Sequence, residues 1–152
     1  MSFYHKVLGL KTNYHTEFVN ITDYVNEAVE ESNIKNGQVL VQSKHTTTGV
    51  IVNENEERLH KDIEYYLNNV APKHNGYMHD DITERNCPED EPLNAHSHIK
   101  SALYSKNSET ISLKDGLLEL GKWQNIFFAE YDGPCPRNNK SIRKCIVNIL
   151  GE

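Results

Sequence analysis

The chain has 152 residues, 37% of them apolar, 25% charged and 9% aromatic, and its 16 basic and 22 acidic residues leave a formal charge of -6. This is the length of one domain, able to bury about two thirds of its unfolded surface without staples, and the composition excludes disorder. No basic run points to nucleic acid, and the longest unbroken apolar run, residues 126–129, excludes a transmembrane helix, which needs about 20 such residues.

Residues 3–10 and 17–21 are short and rich in apolar and aromatic side chains, as strands are. Ile21, Val25, Ala28 and Val29 then recur at helical spacing. Thr22 is the expected N-cap, and Asn36-Gly37 the expected end. Residues 38–44 read as a strand, followed by His45-Thr46-Thr47-Thr48-Gly49 and a second β run at 50–52. Leu59, Ile63, Tyr66, Leu67 and Val70 mark a second helix, capped by Asn53 or Asn55, with Glu57 and Lys61 placed to pair across a turn.

Residues 71–95 hold three prolines and form a long irregular segment, of the kind that is usually functional or disordered. A short helix over 97–104 and a hairpin of 110–113 with 117–120, closed by Lys114-Asp115-Gly116, come next. Residues 122–131 and 145–150 are strands apolar on both faces, which suits a sheet centre or a face covered by another subunit. The expected fold is α+β: a single domain over residues 1–152, with a mixed or mostly antiparallel sheet and two main helices. Residues 1–6 lack the apolar core of a secretory leader, and the three cysteines are scattered, so the expected location is cytoplasmic.

Three clusters carry candidate chemistry. In the first, His45 continues the inward face of its strand, and the threonines after it offer hydroxyl and N–H groups to an anion. Asn53-Glu54 lies where a strand hands over to a helix, and Asp62 borders that helix's apolar stripe. The second cluster contains His74, His79, Asp80, Asp81, His96 and His98. On an extended segment His96 and His98 face one way and can chelate a metal; on a helix they diverge by about 200°. The third is Glu130, a carboxylate sharing a face with Phe128 and therefore in need of a partner, a metal or a proton, followed by Arg137, Lys140, Arg143 and Lys144.

The ordered set His45-Thr46-Thr47-Thr48, Asn53-Glu54-Asn55, His79-Asp80, Ser97-His98-Ile99-Lys100, Gly121-Lys122-Trp123-Gln124, Glu130 and Asp132-Gly133-Pro134 resembles the secondary thiamine-phosphate synthase family along almost the whole chain. The resemblance implies a compact α+β subunit assembling as a homotrimer. It also implies a low thiamine-phosphate synthase activity, joining hydroxymethylpyrimidine diphosphate to thiazole phosphate with release of pyrophosphate. His45, Asn53, Glu54, Asp62, His79, His98 and Glu130 match as site residues. In this reading His45, Asn53, Glu54, Asp62 and Glu130 are catalytic, and Lys100, Lys122 and Arg137 bind phosphate. A divalent metal would be Mg²⁺ on Glu54, Asp62 or Glu130, or a transition metal on His79 and His98. Where the family often has an arginine-rich stretch after Asp-Gly-Pro, this chain has Cys135, Pro136 and a single Arg137. The alternatives are a metal-dependent hydrolase and a trimeric ligand-binding protein without chemistry.

Overall fold

The computed structural model describes residues 1–137 and 142–152. Period-two alternation builds the larger sheet from β1 (Ser2–Leu10), β8 (Arg143–Gly151), β3 (Gly37–Ser43), β5 (Ser108–Lys114) and β6 (Leu117–Leu118), in that spatial order. A smaller sheet places β7 (Gln124–Glu130) between β2 (Glu17–Asn20) and β4 (Thr48–Glu54). Every ladder among the described residues is antiparallel, the expected majority being the whole. Among the described residues three α-helices accompany the sheets, the two main ones expected, α1 (Thr22–Ser32) and α2 (Glu57–Val70), and the expected short one, α3 (Ala95–Tyr104), which starts two residues earlier than its expected bound. None among the described residues is long and apolar enough to cross a membrane.

The two faces of β7 explain the layering. Ile126 and Phe128 face the larger sheet and join Val39, Val41, Val147 and Ile149 with the α1 residues Val25 and Ala28 in the main core. Phe127, Ala129 and Tyr131 face the other way and are also fully buried. Ala129 and Tyr131 form a second cluster there with Leu67 of α2, against which Tyr104 of α3 packs. The small sheet is thus covered on both sides, which is why its central strand reads as continuously apolar.

Local signals were met by other residues than the nearest ones. Thr22 does not cap α1; Asn20 Oδ1 accepts from the Thr22 amide at 3.0 Å, while the Thr22 hydroxyl accepts from the Ile126 amide at 2.9 Å. The helix stops at Asn33, left-handed with φ 57°, before Gly37 is reached. Glu56, not an asparagine, caps α2 by accepting from the amides of Arg58 and Leu59. The Asp115-Gly116 turn has φ 52° and 79°, both positive as a type I′ hairpin requires.

Candidate functional site

Alternation along β7 carries Glu130 onto the same inward face as Phe128, so its carboxylate is fully buried. Burying it without partners would cost several kcal/mol even after the protein relaxes around it. Arg143, at the start of β8, supplies the countercharge through Nε at 2.6 Å and Nη2 at 2.8 Å. The Thr12 hydroxyl and the Asp132 amide donate to the same carboxylate at 3.1 and 2.9 Å. Burial pulls the Arg143 pKa down, but the hydrogen bonds and charge of Glu130 outweigh it and raise it overall. Arg143 Nη2 also approaches Thr47 Oγ1 at 3.4 Å. Both Glu130 oxygens are therefore occupied within the protein, which argues against the expected role as a Mg²⁺ ligand.

His45 lies in the turn between β3 and β4. Its Nε2 accepts from the Lys144 amide at 2.8 Å, so the neutral ring carries its proton on Nδ1. Burial first, then the Arg143 charge, lowers the His45 pKa and favours that neutral form. His45, Asp132, Arg137 and Arg143 share a hollow of about 220 Å³. Asp132 there accepts from Asn94 at 2.9 Å and from Arg137 at 3.1 Å. A second hollow, about 480 Å³, shares His45 and adds Thr46, His98 and Ser101. A third, about 330 Å³, shares Asp132 and Arg137 and adds His15, Lys73 and His96. The three make one polar belt around the C-terminal end of β7.

Helix α3 positions two histidines in this belt. Its first amide, Ala95 N–H, donates to Asp80 Oδ1 at 2.9 Å, so the irregular segment caps the helix. That cap brings His79 against His98, with ring centres 4.8 Å apart and planes at 68°. Burial first, then His79, lowers the His98 pKa. His96 is inside the helix and diverges from His98, so the two cannot chelate one ion; it meets His15 instead. Among the described residues, no three of His, Cys, Asp and Glu come together to hold a metal.

Of the expected residues, the fold gathers His45, His79, His98, Glu130 and Arg137. It does not gather the others. Thr48 stands opposite Glu130 but Asn53 stands opposite Asn125, five residues along the ladder and so about 17 Å away. Asn53 Nδ2 donates to the Tyr104 hydroxyl at 3.3 Å, and its Oδ1 accepts from the Glu54 amide at 2.8 Å. Glu54 and Asp62 are exposed, at the end of β4 and on α2. Lys122 is exposed beside β7's opposite end, its ammonium 4.6 Å from the Trp123 ring centre. Lys100 is buried and donates to Asn68 at 2.6 Å; this ties α3 to α2 instead of offering an exposed charge to phosphate. Burial lowers its pKa. Lys140 lies outside the described residues.

Sequence reasoning did not place Asp132, Arg143, Lys73 or His15 among the site residues. Arg143 stood in a visible cationic cluster and Asp132 in the Asp-Gly-Pro break, but no spacing in the chain points to His15.

The chain is similar over its full length to known proteins. It is 38% identical over 152 residues to a UPF0047 protein of Methanothermobacter thermautotrophicus, covering 100% of this chain and 95% of that one. It is 30% identical over 147 residues to the UPF0047 protein YugU of Bacillus subtilis, covering 96% and 98%. The crystal structure of a YbjQ-like protein of unknown function from Sulfolobus solfataricus superposes with a TM-score of 0.86 at 32% identity, covering 99% of each chain. That of an uncharacterised yjbq/upf0047 family protein from Clostridium acetobutylicum gives 0.81 at 35%, covering 95% and 99%. A family model described as "UPF0047 protein YjbQ-like" matches residues 6–152.

Proposed function

The chain belongs to the UPF0047 YjbQ-like family, and from that premise we propose that it is an enzyme acting on phosphorylated small molecules, with thiamine-phosphate synthase as a low, secondary activity. In that reaction the bond between the pyrimidine's methylene carbon and the diphosphate oxygen breaks. The carbon bonds to the thiazole nitrogen, and pyrophosphate leaves with the electron pair.

The observation that carries this reading is the hollow shared by His45, Arg137 and Arg143 in a protein of net charge -6. Two guanidiniums and a neutral imidazole N–H on one concave polar surface suit phosphate oxygens. Among the described residues Arg143 spends its Nε and Nη2 on Glu130 and Thr47, which leaves Nη1 for a ligand. Departing pyrophosphate gains charge, and fixed cations there stabilise it as the bond breaks. A divalent cation accompanying the diphosphate would share that task.

We propose a homotrimer as the working unit. The outer face of the larger sheet supports this: Phe3, Val7 and Leu150 are exposed there, on strands whose alternate residues are core.

The test is thiamine-phosphate formation by the purified full chain with Mg²⁺ and both phosphorylated halves, beside His45→Ala. Product from the parent and at least about a tenfold lower rate from the variant is expected, since general acid–base or donor groups contribute about 10²–10⁴-fold. No product from folded parent protein overturns the reading.

A further inference from the structure

Two histidines far apart in the chain meet at the third hollow. His15 comes from the loop between β1 and β2, and His96 is the second residue of α3. Their Nε2 atoms are 3.3 Å apart, within reach of one N–H···N hydrogen bond. Burial keeps both rings neutral: it lowers the His15 pKa and, with the His15 ring and Lys100 adding to it, brings that of His96 to about 4. Each imidazole therefore carries one proton, and one of the two protons lies between the rings.

The direction of that hydrogen bond follows from the far side of each ring. His96 is only 1% exposed, and its Nδ1 is enclosed with no partner among the described residues. A proton there would be a buried donor without an acceptor. It would also sit in the field of Lys100 and Lys73, whose charges on this ring outweigh that of Asp132. A lone pair suits the position better, so His96 holds its proton on Nε2 and donates it to His15. His15 then carries its own proton on Nδ1. That nitrogen is neither enclosed nor bonded within the described residues, on a ring that lines the hollow. His45 has the same form at the neighbouring hollow, its Nε2 accepting from the Lys144 amide and its Nδ1–H left open.

The charges around His15 favour an anion. Asp132 is the one carboxylate among the described residues lining this hollow, and its oxygens are taken by Asn94 and Arg137. Arg137 commits Nη2 to the Asp132 carbonyl and carboxylate, which leaves Nη1 and Nε among the described residues. Lys73 has no carboxylate partner among them. Pro92 lines both hollows and Leu93 this one, which sets apolar surface beside the donors.

We propose that this 330 Å³ hollow is a second phosphate subsite, which takes the phosphate of a monoester co-substrate on Lys73, His15 Nδ1–H and Arg137, with the ester's organic part against Pro92 and Leu93. Its assignment to a co-substrate rests on the transferase reading. Arg137 and Asp132 line both hollows, so the ester lies beside the diphosphate held at His45 and Arg143, as the joining of two phosphorylated molecules requires. His96 is a positioning residue: it acts by fixing the His15 tautomer.

The experiment fills the first hollow of the ¹⁵N-labelled full chain with saturating pyrophosphate, then titrates inorganic phosphate while amide and imidazole nitrogen shifts are recorded. Phosphate should move the Lys73 and His15 amides and the His15 ring, with the pyrophosphate shifts at His45 retained. Before any ligand, the ring nitrogens should show His15 protonated at Nδ1 and His96 at Nε2. Lys73→Gln and His15→Phe should each weaken phosphate at least about tenfold, as loss of a charge-assisted or fixed donor does. Lys114→Gln, an equal loss of charge in the β5–β6 hairpin, should change it less than about twofold, because salt screens a distant charge. His96→Leu should take the proton off His15 Nδ1 and weaken phosphate, while His96→Gln, whose amide donates to the same nitrogen, should restore both. Circular dichroism checks folding, and if the His96 variants do not fold, Lys73→Gln and His15→Phe decide. A parent His15 protonated at Nε2, phosphate that competes with pyrophosphate for one set of shifts, or no response at Lys73 and His15 overturns the proposal. If pyrophosphate does not bind, phosphate alone is titrated against the same shifts. Phosphate bound as expected by protein that forms no thiamine phosphate overturns the transferase reading alone.

Discussion

Glu130 and Arg143 close on each other through two hydrogen bonds, 2.6 and 2.8 Å long, with the carboxylate fully buried and the guanidinium mostly so. The pair joins the end of β7 in the small sheet to the start of β8 in the large one. It therefore fixes how the two sheets meet under the polar belt. Removing one partner leaves the other charge buried and uncompensated. Glu130→Ala should cost about 3–5 kcal/mol, measured by urea unfolding, and Glu130→Gln less, because the amide oxygen still accepts. A loss under about 1 kcal/mol for Glu130→Ala would show that the pair contributes only as surface pairs do.

Stability should fall with acid in a window set by the histidines. His96 has a folded pKa of about 4 against an ordinary 6.5, so the unfolded chain binds a proton that the folded chain refuses. Its contribution is complete above pH 6.5 and is lost progressively as pH drops from 6.5 toward 4. His15, His45 and His98 are lowered too and act in the same direction. Melting temperature should decline between pH 6.5 and 5, and His96→Gln should flatten part of that decline. An equal decline in parent and variant would contradict the assignment to His96.

Asp80 holds the first turn of α3 from fifteen residues upstream. Asp80→Ala should cost about 0.5–2 kcal/mol, the range for a lost N-cap, and Asp80→Asn less. Hydrogen exchange should accelerate at Ala95 and through the preceding segment, while β7 amides keep their protection. Unchanged exchange in Asp80→Ala protein would mean that the segment is held by other contacts.

Gly116 closes the β5–β6 hairpin at φ +79°. Gly116→Ala should cost about 1–2 kcal/mol, the penalty of a left-handed conformation for an L side chain. Thermal melting checks this, and an unchanged midpoint would mean that the turn relaxes to another type.

Much of the fold was legible because periodicity reports burial. The alternation in β1 and the two-sided β7 each follow from which faces are covered, whereas of the apolar stripe of α2 only Leu67 is buried and Tyr66 and Val70 stay exposed. The caps were not legible, because Asn20 reaches α1 from the end of a strand and Asp80 reaches α3 across a loop. In the site, Glu130 announced a need for a partner, but the choice of Arg143 over Arg137 was made by β8's position beside β1 and β3. Asn53 and Glu54 were grouped with His45 because both flank one strand, and only the β4–β7 pairing shows that they stand at opposite ends. His15 was illegible because its meaning comes wholly from His96, 81 residues away.

The central claim is that phosphate oxygens bind at the β7 end where His45, Arg137 and Arg143 converge. The most direct measurement is amide chemical-shift mapping of the labelled full chain titrated with inorganic pyrophosphate. Shifts should cluster at His45, Arg137 and Lys144, with Asn53 and Lys122 unmoved. Shifts confined to Asn53, Glu54 and Lys122, or none at all at saturating pyrophosphate, would contradict it.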